Sequence, residues 1–330
     1  MKKTFQCILI LLISAIVISC EDSVDPKAEF REEYVLNCII NLDTNYQVAT
    51  ISRTFDVSGY DPYTNTIDPF ISDAVVKIYY DNLVYTMKDT SMPRQDTSRY
   101  KTPMHFYYLN NFKPNTSRPI EVEAELSNGS VLTGNAQVYS LSGLYLSSSI
   151  AGTTIDPSLI TNEVNFLEFV WGDYYSKPLK ADVNYSPELV ILYSYESNGI
   201  IEKLEKKVAR IIVHGDRDAY PIYPEANTKD NSMTFSYEAF EKAMTELSDG
   251  DPHKENYKIE GVLFRLLIMD KNLAAYYSAQ KTFLDEFSVR VNQPDFSNVQ
   301  SGLGLVGSYS IKKMKFKIKS DYILSFGYKY

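Results

Sequence analysis

The stretch Ile120–Val131 reads IEVEAELSNGSV and predicts a β-hairpin. Its isoleucine, valine, alanine and leucine alternate with three glutamates, which gives one apolar and one charged face at the two-residue period of a half-buried strand. Asn128 and Gly129 tolerate the positive φ angles of a two-residue type I′ turn, and Val131 begins the return strand. The stretch therefore predicts an antiparallel sheet with one buried face.

The same alternation recurs through the first half of the chain. It is found at Tyr34–Leu42, Ala49–Phe55, Ala74–Tyr80 and Leu83–Met87. Short strands separated by turn signals at this spacing are typical of a β-sandwich. We therefore predict an immunoglobulin-like antiparallel β-sandwich domain over residues 31–140.

Residues 140–158 are rich in serine, glycine and threonine, and we place a domain boundary there. The following residues 155–330 are predicted to form a β-rich α+β domain, so the chain as a whole is mainly β. Strand patterns occur at Val164–Trp171, Leu189–Tyr195 and Val262–Met269, whereas Ile200–Val213 fits either a strand or a helical face.

Two amphipathic helices are predicted in this second half, one capped by Ser236 and one by Asp270. Near the C-terminus, lysines alternate with apolar residues over Lys313–Lys319. This row indicates the solvated, edge-protecting face of a strand more than a phosphate or carboxylate site.

The N-terminus has the form of a targeting segment. Two lysines precede the apolar run Phe5–Ile18, which is short for a membrane span, and Val17–Cys20 reads VISC. This pattern resembles a bacterial lipoprotein signal peptide, which implies removal of residues 1–19, acylation of Cys20 and a lipidated tether over residues 20–30. Glu21 and Asp22 resemble the export signal that sends Bacteroidetes lipoproteins to the outer face of the outer membrane. The resemblance implies a lipid-anchored protein of the outer membrane, on the cell surface.

Composition excludes other modes of attachment. No later segment has about 18 consecutive apolar residues, so no transmembrane helix is expected. The net charge of −9 argues against nucleic acid as a partner and against electrostatic binding to anionic lipid. The bilayer is therefore expected to be reached through the acylated Cys20.

Cysteine and tyrosine usage carry further information. Cys7 leaves with the signal, so Cys38 is the one thiol left beside Cys20, and no internal disulfide or cysteine metal cluster can form. We expect Cys38 to be a small buried hydrophobe, with a reactive thiol as the alternative. The chain has 27 tyrosines, several in doublets. Their first explanation is β-propensity, and their second is a binding interface, where tyrosine is enriched.

Three motifs raise the question of catalysis or cofactor binding. Gly302–Gly307 reads GLGLVG and matches the dinucleotide fingerprint, but a strand pattern follows it, so close backbone packing is the better interpretation. His214–Asp218 is interpreted as a polar loop, with a hydrolase or metal site as the alternative. Asp249–Asp251 lacks the later ligands of a calcium loop and is interpreted as a helix stop. We expect no enzymatic activity, no cofactor and no metal site.

A resemblance to a known family rests on three segments. Pro294–Tyr309 reads PDFSNVQSGLGLVGSY and follows a tyrosine-containing helix predicted at Leu273–Phe287, and Ser52–Thr54 and Ile71–Ile78 lie on early strands. Together they resemble the Bacteroidetes lipoprotein family called domain of unknown function 4249. The resemblance implies a cell-envelope lipoprotein and an accessory role beside a TonB-dependent outer-membrane receptor. It implies no catalytic residue.

These observations predict a non-enzymatic outer-membrane lipoprotein, facing the surface or the periplasm, that binds a ligand or partner beside a TonB-dependent receptor. One alternative is a fimbrillin-like adhesin or pilus subunit, which assembles by strand exchange. The other is an envelope hydrolase using the His214–Asp218 loop.

Overall fold

A computed structural model of the chain describes residues 29–57, 59, 61–114, 118–139, 143–150, 152–156, 166–173, 182–215, 218–224, 228–281 and 296–330. Over these residues the protein is mainly β, with several antiparallel sheets and three helices. This confirms the predicted fold class, a β-sandwich together with a β-rich part that carries helices.

The strands of the first half are short. They are β1 (Tyr34–Asn41), β2 (Tyr46–Arg53), β3 (Val75–Tyr80), β4 (Leu83–Thr86), β5 (Lys88–Met92), β6 (Met104–Asn110), β7 (Pro119–Glu125), β8 (Val131–Gln137), β9 (Leu144–Ser148) and β10 (Thr154–Ile155). A 3₁₀ turn, Pro62–Thr64, lies between β2 and β3.

The second half contains longer strands and the helices. Its strands are β11 (Phe166–Asp173), β12 (Asn184–Ser197), β13 (Ile200–Val208), β14 (Ile211–His214), β15 (Ala219–Ile222), β16 (Ser232–Ser236), β17 (Tyr257–Met269), β18 (Val299–Gln300) and β19 (Leu303–Ile318). The helices are α1 (Tyr237–Thr245), α2 (Lys271–Lys281) and α3 (Ser320–Ser325), and a second 3₁₀ turn spans Lys254–Asn256.

The N-terminal sandwich packs a five-stranded sheet, in the order β18-β8-β7-β3-β4, against the β19-β1-β2-β6-β5 part of a larger sheet. Its core is mostly aliphatic, because the buried position of each alternating strand carries a branched or small residue. The fully buried members include Leu36, Ile40, Ile51, Val76, Ile78, Ile120 and Val122.

The hairpin at Ile120–Val131 is confirmed, but its turn differs from the predicted type I′ turn. Asn128 is absent from the residues with positive φ, and Gly129 alone adopts it, at 84°. The amide of Leu126 donates to the carbonyl of Ser130 at 2.8 Å, which leaves a three-residue loop with glycine in the left-handed position. The side chain of Asn128 is used elsewhere, since its amide donates to the hydroxyl of Tyr34 at 2.9 Å.

The long strand β19 connects the two halves. Its first part, Leu303–Tyr309, pairs in parallel with β1, and its second part, Tyr309–Phe316, pairs antiparallel with β17. One sheet, in the order β13-β12-β17-β19-β1-β2-β6-β5, therefore runs through both halves. The predicted division at 140–158 stays a prediction, and it did not include the return of β18 and β19 into the first sandwich.

The second half has its own core between the β13-β12-β17-β19 part of the large sheet and the three-stranded sheet β16-β11-β9, together with α1 and α3. This core is aromatic. The rings of Phe169 and Phe264 stack with centroids 4.0 Å apart, and Trp171 and Phe235 complete the cluster. The stretch left open at Ile200–Val213 forms two strands, β13 and β14.

Both predicted helix caps are present. The hydroxyl of Ser236 accepts from the amide of Ala239 at 3.1 Å, and the carboxylate of Asp270 accepts from the amide of Leu273 at 2.9 Å. The lysine row is also as predicted in its exposure, since Lys313, Lys315 and Lys317 are exposed. Among the described residues, the segment of β19 that carries Lys313 and Lys315 has a strand partner, β17, on one side only.

Candidate binding site: a tyrosine-lined groove

Helix α2 lies across the outer face of the large sheet, at the point where the two halves meet. It can approach β19 because Gly307 has no side chain: a Cβ there would lie 3.0 Å from the Cβ of Leu273. The helix covers a small apolar cluster that includes Met269, Leu273, Ala274 and Leu305. The close contact between α2 and β19 therefore covers this part of the outer face of the sheet.

Asp270 fixes this junction. Its carboxylate is buried and accepts from Leu273 on α2 and, at 3.1 Å, from the amide of Gln137 at the end of β8. Its own amide donates to the carbonyl of Ser308 on β19. Burial raises the pKa of Asp270 above its ordinary value, although the backbone hydrogen bonds oppose that shift. The position of α2 over the sheet is therefore set by a buried, fully hydrogen-bonded group.

Five tyrosines gather beside this junction, and we call them the tyrosine face: Tyr46, Tyr108, Tyr276, Tyr277 and Tyr309. Tyr46 and Tyr108 stack across strands β2 and β6 with centroids 5.8 Å apart. Tyr276 and Tyr277 meet edge to face at 6.0 Å on α2. The face thus combines two strands of the sandwich with the helix of the second half.

Tyr309 lies between these two pairs, on the segment of β19 that both halves share. Burial raises the pKa of Tyr309, and the nearby carboxylate of Asp43 and the hydroxyls of Tyr277 and Tyr46 raise it further. Its phenol is therefore neutral at physiological pH and can act as a hydrogen-bond donor. Asp43 is held in place by the amide of Ile311, which donates to it at 2.7 Å.

A groove of about 830 Å³ continues from Tyr277 along the outer face of the second half. Its apolar floor comes from Leu267, Met269 and Ile311 on β17 and β19. The remaining walls are formed by Ser186, Pro187, Glu188, Lys207, Tyr223, Pro224 and Arg265. A concave, half-open surface with an apolar floor and few polar groups is the usual form of a ligand site.

The charged wall of the groove is an ion-pair network. Arg265 binds Glu188 through two nitrogens, at 2.6 and 3.0 Å, and Glu205 at 2.8 Å. Lys207 binds the other oxygen of Glu188 at 3.2 Å and lies 5.4 Å from the ring centre of Tyr223. Two positive and two negative groups balance, so the wall offers directional hydrogen-bond partners without a strong net field.

This arrangement suits binding more than bond breaking. Exposed tyrosine rings present flat apolar faces and hydroxyl edges, which stack on planar or ring-shaped ligands and donate hydrogen bonds to them. The two carboxylates of the wall, Glu188 and Glu205, are each paired with a cation.

The residues predicted for anchoring lie outside the described residues. These are Cys20, Glu21 and Asp22, with the signal peptide 1–19 and most of the tether 20–30. Cys38 is described, and its prediction as a buried hydrophobe is confirmed: 1% of its surface is exposed, and burial raises its thiol pKa to about 12. A thiol of that kind is almost wholly protonated at neutral pH and unreactive.

The polar loop after β14 is described in part. His214 is exposed, and its ring contacts the carboxylate of Glu238 on α1. Asp218 accepts from the amide of Gly215 through its backbone carbonyl, and the two residues between them lie outside the described part. The hydrolase interpretation of this loop stays a hypothesis. The loop's described residues, His214, Gly215 and Asp218, are exposed and do not line the groove.

The other motifs are placed as predicted. Asp249 and Gly250 adopt positive φ in the turn that follows α1 and its C-cap Glu246, and Asp251 accepts from the hydroxyl of Tyr257. Gly302–Gly307 lies in and just before β19, where a Cβ on Gly304 would collide with the carbonyl of Leu36 on β1. In the part of the chain that the structure describes, no three His, Cys, Asp or Glu side chains are grouped so as to hold a metal ion.

Neither the tyrosine face nor the ion-pair wall could be predicted from the sequence. The Tyr276–Tyr277 doublet was the nearest signal, since two adjacent tyrosines on a helix cannot both face the core. Tyr46, Tyr309 and Arg265 gave no such signal, because their proximity depends on the pairing of β1 with β19 and of β12 with β17.

Comparison with known proteins adds little to this geometry. No family model matches the chain, and no curated protein is similar to it. Among solved structures, a mutant of Salmonella alpha-2-macroglobulin is similar over 91% of this chain and 15% of its own length, at 8% identity and a TM-score of 0.23. Within the described residues, no helix is both long enough and apolar enough to cross a bilayer.

Proposed function

We propose that this protein is a non-enzymatic outer-membrane lipoprotein that binds a ligand in the tyrosine-lined groove and serves as an accessory to a TonB-dependent receptor. The groove is the observation that carries the binding role, since it joins an apolar floor, the rings of Tyr223 and Tyr277 and a charge-balanced wall. The anchor and the receptor rest on the resemblance of residues 1–22 to a lipoprotein signal and of Pro294–Tyr309 to the lipoprotein family.

The composition of the groove restricts its ligand. Stacking on tyrosine favours a ligand with flat or ring-shaped apolar faces, and the hydroxyls and paired charges favour polar edges. Because the wall has no net charge, binding should depend weakly on salt.

The test is affinity purification of the tagged protein from its native outer membrane after mild crosslinking, followed by mass spectrometry. With the wild type, we expect to recover a β-barrel receptor in stoichiometric amount. With Tyr277→Ala, we expect to recover less of that receptor. Tyr220→Ala is the matched control, since Tyr220 is 54% exposed on the separate β14–β15 hairpin. An absent receptor would contradict the accessory role, and Cys20→Ala that stays in the membrane fraction would contradict the anchor.

The fimbrillin-like alternative predicts a removable N-terminal strand. In this chain β1 is paired on both sides, with β2 and β19, and its core residues Leu36 and Ile40 are fully buried. Its release would open two ladders at once. A series of crosslinked oligomers of this chain, or polymerisation after trypsin trimming, would nevertheless favour the pilus alternative over the accessory role.

A further inference from the structure

The described chain enters the fold at one end of the N-terminal sandwich, which we call the tether end. Just before β1, the amide of Glu33 donates to the hydroxyl of Thr54 at 2.9 Å, and the amide of Thr54 donates to the carbonyl of Glu33 at 2.8 Å. These reciprocal bonds hold the entry of the chain against the residues that follow β2. The described residues just before β1 are therefore held in place.

Two long connections lie at the same end, because β2 ends there and β6 begins there. The first follows β2, and its residue Phe70 bridges back to Ser52. The second joins Met92 on β5 to Met104 on β6, two residues that pair directly. Both connections therefore lie at the end of the sandwich where β1 begins.

Arg99 lies on the second connection, and its side chain binds residues of the first. Its guanidinium donates to the carbonyls of Pro62 at 2.6 Å and of Asn65 at 3.0 Å. It also lies 5.2 Å from the ring centre of Tyr63 and 4.8 Å from that of Tyr100. A single side chain thus organises the tip of one loop from the other.

Arg94 makes a second link of the same kind. It pairs with Asp68 at 2.5 Å, and Asp68 also accepts from the hydroxyl of Thr102 at 2.6 Å. The Arg94 guanidinium lies 5.6 Å from the ring centre of Phe70 and 5.2 Å from that of Tyr100. Arg94 and Arg99 of the second connection therefore link it to the described residues of the first connection.

This cross-linked tip holds two large side chains out in solvent. Tyr63 is 75% exposed and Ile67 is 70% exposed. An aliphatic side chain beside a tyrosine and arginines is the composition found where proteins meet the bilayer interface, since the rings and guanidinium groups lie at headgroup level.

We propose that the tether end rests on the lipid surface, with Tyr63 and Ile67 inserted among the headgroups of the outer membrane. This contact rests on the lipid anchor at Cys20 that the proposed function includes. Eight residues, 21–28, separate Cys20 from the described chain. Even fully extended, this stretch spans at most about 32 Å, which limits the distance between the bilayer and the start of the described chain. Such tethering makes the contact intramolecular, and a weak interaction then suffices.

The charges at this end are of both signs, so the contact needs no anionic lipid. Arg31, Arg53, Arg94, Arg99 and Lys101 lie there with Glu32, Glu33, Asp61, Asp68 and Asp96. Insertion of apolar side chains, not electrostatic attraction, would drive it. The contact should therefore form on vesicles of phosphatidylcholine alone.

The opposite end of the molecule offers a matched control. The β12–β13 hairpin exposes Ile200 and Ile201 by 72% and 64%, close to the values at the tip. The hairpin lies beyond the far end of β19, a strand of 16 residues, which at about 3.3 Å per residue measures about 50 Å. The tip and the hairpin are similarly exposed but lie at opposite ends of the molecule. A difference in reactivity between them on vesicles would therefore report shielding by lipid and not the exposure of the side chain in the protein.

The experiment measures the rate at which a polyethylene-glycol maleimide reacts with Tyr63→Cys and with Ile200→Cys in the lipidated protein on phosphatidylcholine vesicles. The same variants carrying Cys20→Ala provide the soluble reference. Cys38 contributes no background, since it is buried. We expect the Tyr63→Cys thiol to react several-fold more slowly on vesicles than in solution, and the Ile200→Cys thiol to react equally in both.

Ile67→Cys serves as a second tip variant if Tyr63→Cys disturbs the Arg99 contact. Equal rates on vesicles and in solution at both tip positions would overturn the lipid contact while leaving the anchor intact. Shielding that occurs in native outer membrane but not on pure lipid would also overturn it, and would assign the tip to a protein partner. Reaction of Cys20 itself in the purified chain would instead overturn the anchor, and with it the contact.

Discussion

The two halves of the molecule are stabilised by cores of different composition. The N-terminal sandwich buries isoleucine, valine and leucine between two sheets, whereas the second half packs the rings of Phe169, Phe264 and Trp171 between its own two sheets. Aliphatic side chains can fill a sandwich layer at any register that keeps the alternation, but stacked rings require particular positions on several elements. The second half should therefore be the less tolerant of substitution.

The largest effect is expected from removing a stacked ring. Phe264→Ala should destabilise the protein by about 3–5 kcal/mol, because the ring is fully buried and leaves a cavity among fixed neighbours. Urea unfolding followed by the fluorescence of Trp171 measures it. Phe166→Ala is the control, since Phe166 is 39% exposed on β11. A loss at Phe264 no greater than at Phe166 would show that the aromatic core can collapse around the gap.

The second-largest loss of stability is expected from a substitution at the junction between the halves. Asp270→Asn should cost about 1–3 kcal/mol, because an amide can accept from only one of the two backbone donors, Leu273 and Gln137, and leaves the other facing an N–H group. Urea unfolding at neutral pH measures it, with the exposed Asp218→Asn as control. Equal stabilities of the two variants would refute a role for the carboxylate in joining the halves.

Asp270 should also give the protein a pH dependence. Its pKa is raised by burial above the ordinary 3.8, so the folded state binds the proton more tightly than the unfolded state. Its contribution to stability is therefore greatest in acid and declines as pH rises from about 3.8 through the folded-state pKa. The difference in unfolding free energy between wild type and Asp270→Asn, followed against pH, should show this decline. A wild-type advantage that instead grew over that range would contradict the raised pKa.

A smaller effect is expected at the cap of α1. Ser236→Ala should cost about 1 kcal/mol, since the amide of Ala239 loses its acceptor. Ser236→Asp keeps an acceptor and should stay near the wild type, so a loss in both variants would point to packing rather than capping. Thermal unfolding of the pair makes the comparison.

The smallest loss of stability is expected from a substitution in the aliphatic core of the N-terminal sandwich. Ile78→Val, in the middle of the sandwich core, should cost about 0.5–1.5 kcal/mol. Val75→Ala on the same strand, where Val75 is 45% exposed, provides the reference for a solvent-facing position. If Ile78→Val approached the loss at Phe264, the proposed difference in tolerance between the cores would be wrong.

The contrast also explains what the sequence could predict. The hairpin at Ile120–Val131 and the caps Ser236 and Asp270 are local, since a few neighbouring residues carry the signal. The parallel pairing of β1 with β19 joins residues about 270 positions apart, for example Val35 and Leu303, and alternation alone does not choose a partner strand.

The candidate site was hidden for the same reason. Tyr46, Tyr277 and Tyr309 belong to three separate elements, and each by itself is an ordinary residue of a strand or helix. Arg265 similarly meets Glu188 and Glu205 only through the pairing order of β13, β12 and β17. The tyrosine count indicated a surface of this kind, but not its place.

The shared strand β19 has a mechanical consequence. A force that pulled the distal half away from an anchored N-terminus would load β1 at its start and β19 toward its end. Because these strands are parallel and joined over seven residue pairs, the load would act along the strands, across hydrogen bonds that must yield together in shear and cannot unzip one by one. With the N-terminus anchored as proposed, the seven-pair ladder between β1 and β19 would carry that load in shear.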